Sequence, residues 1–313
     1  MMKFAVTAVA LAIASLGSAQ AATLNLSAYL GNANVFSFTD FSAPSADVEG
    51  AIVAGGNVSL TSYTVNKNNQ DAYGQYAMVV GGSLTFGNGN IHNGNVYVNG
   101  GVTYPSYNVL DKGYTTVKGT APVNLSSLAS GLVKTSAELA AIKATGQTKQ
   151  TGSQIFLTGT KSGVDVVTVN ASQMNSATDF VLSNFATDAT IIVNVVGKTA
   201  TIQGGYSKFD KYNVLFNFVD ATTLNIGTGA NISILAPTAA VNGGSGVIDG
   251  NVVVKSWNSG VQINSTNAFV STDVKGLVTA IPEPETYAML LGGLGLMGFM
   301  ARRRQKAAAF AAR

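Results

Sequence analysis

The sequence predicts an all-β-dominated fold, a right-handed parallel β-helix with one long helix packed alongside. Three observations carry that expectation. Short β-branched runs are repeatedly cut off by Gly-Gly pairs, the interior is rich in Asn and poor in charge, and a single stretch repeats its apolar residues at helical spacing. The chain has 313 residues with 35 Gly, 46% hydrophobic and only 11% charged, enough for one large core.

The strand-like runs fall at residues 50–54, 57–60, 77–80, 84–86, 95–98, 164–169, 190–196, 200–203, 213–218, 231–235 and 251–254. Gly55-Gly56, Gly81-Gly82, Gly100-Gly101, Gly204-Gly205 and Gly243-Gly244 follow several of them. Glycine tolerates positive φ, and Asn does so better than most residues, so these pairs suit tight corners. The first three pairs lie 26 and 19 residues apart, near one turn of a β-helix but not strictly periodic. Between residues 22 and 281 stand 27 Asn, whose amides can hydrogen-bond from one coil to the next. A β-sandwich is the alternative; it would show clearer hairpins, whereas Asn88-Gly89 and Asn93-Gly94 are the plain Asn-Gly hairpin signals early in the chain. The helix is expected near 124–145, from Leu125, Leu128, Leu132, Leu139 and Ile142, capped by Asn124 or Ser126 and ended by Gly146.

The two ends read as addresses. Residues 1–21 combine Lys3, an apolar stretch and the small residues Ala19 and Ala21, the pattern of a secretory signal cut after Ala21. At the other end Pro282-Glu283-Pro284 precedes an apolar stretch over 287–301, then Arg302-Arg303-Arg304 and an extension over 305–313. Fifteen helical residues reach roughly 22 Å, short of the roughly 30 Å hydrocarbon core. The expectation is a short transmembrane helix with its Arg stop on the cytoplasmic side. This tail, 281–304, resembles the PEP-CTERM sorting signal of Gram-negative bacteria. The resemblance implies signal peptidase and exosortase as processing partners, at least transient membrane contact, and delivery to the envelope, surface or extracellular matrix of an exopolysaccharide producer.

The interior, 22–280, has its own resemblance. Asn34-Val35-Phe36 and the run from Asp47 through Gly55-Gly56-Asn57-Val58 resemble the opening of the bacterial choice-of-anchor A domain. Val214-Leu215-Phe216-Asn217-Phe218, Ile234-Leu235-Ala236-Pro237 and the run from Ile248 to Ser256 resemble its closing blocks. The resemblance implies a β-helical, adhesin-like surface domain, related in shape to ice-binding β-helices, with no catalytic residues and no cofactor. The expected ligand is an exopolysaccharide or a neighbouring surface protein.

Composition narrows the chemistry. The chain has no Cys and one His, which removes thiol catalysis, disulfides and multi-histidine metal sites. Residues 22–281 hold 12 Lys, 13 carboxylates and no Arg, a poor inventory for nucleic acid. His92 sits in a polar turn and reads as a hydrogen-bonded loop residue in preference to a general base. Asp47 and Glu49 share a strand face, too few for a Ca²⁺ site. Asp210, Asp220 and Asp249 read as caps of nearby backbone N–H groups. Tyr104, Tyr107 and Tyr114 read equally as sugar-stacking residues or loop core. A β-helical polysaccharide-processing enzyme and an ice-binding protein are the alternatives; for the latter, Thr199-Ala200-Thr201 and Thr222-Thr223 offer hydroxyls, but no regular Thr array recurs along the sequence.

Overall fold

The computed structural model describes residues 21–277, all within one compact unit, Met1–Val278. The signal segment, Ala19, the Pro282-Glu283-Pro284 motif, the apolar stretch 287–301 and Arg302, Arg303 and Arg304 lie outside the described residues. Among the described residues no helix is long and apolar enough to cross a membrane.

The fold is all-β with few helices. Nineteen strands form one curled sheet whose ladders are parallel throughout, which rules out the antiparallel sandwich. Three ladders run across it. The first joins Val164–Asn170, Thr190–Val196, Asn213–Phe218, the start of Ser233–Asn242 and the start of Val252–Asn258. It continues without a break into Val35–Ser37, Ile52–Ala54, Tyr76–Val80, Asn95–Val98 and Thr116–Val117. The chain therefore starts mid-stack, climbs to one end, crosses to the other end and climbs back until its last pass pairs with its first.

That seam is held by side chains as well as backbone. Trp257 of the last pass stacks on Phe41 of the first, centroids 5.9 Å apart and planes 4° from parallel. Buried Asn34 donates to the Gly250 carbonyl at 2.9 Å, and buried Asn251 to the Ala33 carbonyl at 3.3 Å. These are the Asn contacts between coils that the composition suggests, and each satisfies backbone that would otherwise be buried unpaired.

The return crossing is helix α2. The label follows a short α1, Leu26–Tyr29, and α2 spans Leu125–Ala141. Asn124 caps it, accepting from the Ser127 N–H at 3.0 Å. At about 26 Å long, it spans five or so strand spacings of about 4.8 Å. Leu132 and Leu139 are buried on the outward side of the first ladder, against Val53, Val79, Leu215, Leu235 and Val253. Asn217 accepts from Ser136 Oγ at 2.6 Å and donates to the Ser136 carbonyl at 2.9 Å. It also donates to Asn194 Oδ1 at 2.8 Å, and Asn194 in turn donates to the Leu139 carbonyl at 2.8 Å. The sheet thus adds a second donor to a carbonyl of the last helical turn, which also accepts from the Ile142 N–H at 3.3 Å. The helix stops at Ala141, with Ile142 already extended. Gly146 is not its terminator, a correction: the Gly146 N–H bonds the Val166 carbonyl as the chain enters a new strand.

The glycine pairs do mark corners: Gly205, Gly243 and Gly244 take positive φ as the sequence suggests, but the first three pairs serve for a different reason. Gly55-Gly56, Gly81-Gly82 and Gly100-Gly101 stack in a column: a Cβ on Gly81 would lie 2.4 Å from the Gly55 carbonyl oxygen, and one on Gly100 2.8 Å from that of Gly82. Close backbone approach excludes side chains there. Asn88-Gly89 and Asn93-Gly94 are not hairpins either. Gly89 opens a strand parallel to Val58–Val65, and Asn93 turns a corner with φ +52°.

Candidate binding face

The first ladder is closed on its outer side by α2 and by the chain ends, where Ala22–Leu24 pairs antiparallel with Thr272–Val274. The second ladder is open. Its inward residues, among them Leu224, Val241, Trp257, Phe41, Leu60 and Phe86, are buried. The alternate residues point outward, as strand geometry requires.

Register brings those outward residues into a line. Thr201 lies beside Asn225, and Asn242 beside Asn258, with the Leu224–Val241 pairing carrying the line between them. Asn258 then lies beside Ser42, Ser42 beside Ser59, Ser59 beside Thr85 and Thr85 beside Thr103. Eight strands therefore present a row of hydroxyls and amides at about 4.8 Å spacing, roughly 34 Å long, with no charge and no aromatic ring. Asn242, Asn258, Ser59, Thr85 and Thr103 are exposed and the rest half-buried. A shorter row, Thr199, Thr223, Ala240 and Ser256, runs beside it.

The edge of this face is fixed by a relay of caps. Asp40 accepts from the Asn57 N–H at 2.7 Å, Asn57 from the Ser83 N–H at 2.9 Å, and Ser83 Oγ from the Gly101 N–H at 3.1 Å. Each side chain anchors the corner of the next coil, holding the strands in register and the row straight. Sequence inspection missed the row because its members sit at least 16 residues apart, with 98 between Thr103 and Thr201, among many other Thr, Asn and Ser. Only the register makes Thr201 and Asn225 neighbours.

The other singled-out residues are structural. His92 Nδ1 lies 3.1 Å from both oxygens of Asp111, and the same carboxylate accepts from the Asn93 N–H at 3.2 Å. The pair clasps a corner. Glu49 accepts from the Ser265 N–H and from Asn68 Nδ2, each at 3.0 Å. Asp47 faces outward nearby, and its carboxyl is pushed above the usual range by burial first and by the charge of Glu49 second, with Lys67 opposing. Among the described residues no group of three or more metal-ligating side chains occurs.

Asp220 and Asp249 do cap backbone N–H groups, but across coils and not locally, whereas Asp210 bonds a side chain of another coil. Asp220 accepts from the Gly197 N–H at 2.8 Å, Asp249 from the Asn267 N–H at 3.0 Å, and Asp210 from Asn231 Nδ2 at 2.9 Å. The three tyrosines part company. Tyr104 bonds Thr116 Oγ1 at 2.9 Å and packs on the core, while Tyr107 and Tyr114 are exposed, Tyr107 donating to Asn88 Oδ1.

Residues 27–265, which include every strand of the open ladder, match the family described as "Putative Ice-binding-like adhesive domain". The chain belongs to that family. Residues 280–304 match the PEP-CTERM protein-sorting motif. No curated protein and no solved structure matches the chain. An adhesive domain joined to this motif is an exported cell-surface or extracellular protein, and the motif implies processing by exosortase.

Proposed function

We propose that this protein is a non-catalytic surface or matrix adhesin that binds a hydroxyl-rich polymer along the open row. The curled sheet is read as a right-handed β-helix, the hand that parallel crossovers overwhelmingly take, with a short membrane segment over 287–301 behind the sorting motif. The observation that carries the reading is the unbroken uncharged row from Thr201 to Thr103. Aligned hydroxyls and amides can hydrogen-bond to a polymer at many equivalent points. Two-ended processing fits the fold as well, because the strand paired with Thr272–Val274 begins at Ala22, the residue that follows a cut after Ala21.

The test is binding of the full chain, in mild detergent, to matrix polysaccharide extracted from its own host. Ser59→Tyr with Thr85→Tyr places bulk on the row without touching the core. Binding should fall at least tenfold, a loss of about 1.4 kcal/mol; binding equal to that of the unaltered chain overturns the reading. Intact-mass analysis of membrane and matrix fractions tests the processing: a matrix form running from Ala22 to near Pro282 supports it, and a matrix form with both ends retained refutes it. Turnover of that polysaccharide by the full chain, abolished by Asp111→Asn, would instead make the protein an enzyme.

The regular spacing of the row, and the family's ice-binding-like description, favour a second reading in which the row orders water against ice. Ice shaping by the full chain that the same double substitution removes would establish it.

A further inference from the structure

A separate three-stranded sheet, Gln147–Thr151, Gln154–Thr158 and Asp179–Ser183, closes one end of the third side of the molecule. Register sets Lys149 beside Phe156 and Phe156 beside Val181. Their neighbours Ile155, Leu157 and Phe180 fill the core, so Phe156 and Val181 are apolar residues turned outward, half-buried and without a cover. The next pass of the chain does not add a strand. Gly205, with φ +75° and room for no side chain because a Cβ there would lie 2.6 Å from the Asp179 Cα, starts a 3-10 turn, Tyr206–Phe209, that brings Lys208, Lys211 and Tyr212 over the edge of Asp179–Ser183.

Two shallow concavities of about 270 and 290 Å³ result, one lined by Lys149 and Phe156, the other by Val181, Lys208, Lys211 and Tyr212. Phe156 and Val181 are register partners, so the two adjoin. Lys211 Nζ lies 5.3 Å from the Tyr212 ring centroid. The one carboxylate among the lining residues is Asp179, which accepts from Gln154 Nε2 at 3.2 Å. Three ammonium groups against one carboxylate leave an excess of positive charge around an aromatic floor, in a domain whose Lys and carboxylates otherwise nearly balance.

We infer that this trough binds an acidic polysaccharide, its sugar carboxylates paired with Lys149, Lys208 and Lys211 and its C–H faces laid on Phe156 and Tyr212. Flexible, compact ammonium groups suit spaced carboxylates, and aromatic faces suit the apolar faces of sugars. A nucleic acid is disfavoured by the absence of Arg from residues 22–281 and by their near-zero net charge. The site lies on a different side from the uncharged row and does not depend on the reading of that row.

The probe is immobilised polygalacturonate, with dextran as the neutral glycan and duplex DNA as the other polyanion, offered to the full chain in mild detergent. The chain should prefer polygalacturonate to both, and raising salt from about 0.02 M to about 0.3 M should weaken binding about tenfold or more. The triple variant K149Q/K208Q/K211Q should lose about tenfold or more at low salt. The charge-matched variant K67Q/K112Q/K255Q should stay within about twofold. All six lysines are exposed, and matched circular dichroism and melting curves exclude misfolding as the cause. Equal losses in the two triple variants, retention of DNA or dextran as strong as that of polygalacturonate, or no retention of the unaltered chain overturns the inference.

Discussion

The first and second ladders are built from the same passes of the chain yet present opposite outer surfaces. On the first, the outward line Leu235, Val253, Phe36, Val53, Val79 and Tyr97 is apolar and buried under α2 and the chain ends. On the second, the outward line Asn258, Ser42, Ser59, Thr85 and Thr103 is polar and open. The passes of the chain and the parallel pairing are shared, so the difference lies in which side chains face outward. A parallel sheet needs cover wherever its outer face is apolar; leaving one face hydrophilic frees it for a partner. Stability and recognition are thereby assigned to different sides of one scaffold.

The largest way to break this division is to hollow out the covered side. Phe36 is fully buried and touches Phe38, with ring centroids 5.1 Å apart. Phe36→Ala should cost about 4 kcal/mol and lower the melting temperature by roughly 10 °C. A shift under a few degrees would mean that α2 does not seal the ladder. Next comes the polar lock beneath the helix. Asn217→Ala strands Ser136 Oγ and Asn194 Oδ1 without their shared partner and should cost about 3 kcal/mol in chemical denaturation. Asn217→Leu, which adds apolar volume but no hydrogen bonds, should not restore it.

The covered side was the more legible of the two. Residues 95–98, 190–196 and 213–218 read as strands because Val, Ile, Leu and aromatic residues cluster there, and the structure keeps those bounds. Helix α2 was legible from its leucine spacing. Phe41–Val48 was not, because Pro44 and two serines interrupt a strand that turns a corner in mid-course. Gln147–Thr151 was hidden by its polarity as an edge strand. The open row escaped altogether, since residues such as Ser59 and Thr85 carry no local periodicity and become a set only through pairing between coils. The same holds for the trough, whose three lysines come from two segments about 60 residues apart, Lys149 from one and Lys208 and Lys211 from the other.

An intermediate effect is expected at the corner joining the two ladders. A Cβ at Gly82 would lie 2.5 Å from Asn57 Oδ1 and 2.8 Å from the Gly56 carbonyl. Gly82→Ala should cost about 2 kcal/mol and also loosen the Asn57 cap on the Ser83 N–H. Hydrogen exchange of that amide should rise more than that of residues 190–196. Uniform protection throughout would show that the corner does not set the register.

Acid titration should separate two carboxylates of opposite sign. The Asp47 carboxyl is raised, so its ionised form opposes folding at neutral pH, and this penalty fades as pH falls through its folded-state value. Asp47→Asn should therefore stabilise the domain at pH 7 and lose its advantage in acid. The Asp220 carboxyl is lowered, chiefly by the Gly197 N–H. Its contribution is present above the ordinary Asp value and lost as pH falls through the folded-state value, so Asp220→Asn should destabilise at pH 7 and become neutral in acid. Both groups are largely solvated and the effects are small. Parallel stability-pH curves for the two variants would remove the distinction.

The smallest effect on stability is expected on the open row, and that smallness is the sharpest test of the comparison. Ser59 and Thr85 are exposed register partners. Their double replacement by Ala removes two hydroxyls and leaves Val58, Leu60, Leu84 and Phe86 packed beneath. Unfolding free energy should change by less than about 0.5 kcal/mol, while polymer binding, which uses those hydroxyls, should weaken severalfold. If stability fell as far as in Phe36→Ala, the row would be part of the structural frame, and recognition would have to be sought elsewhere on the molecule.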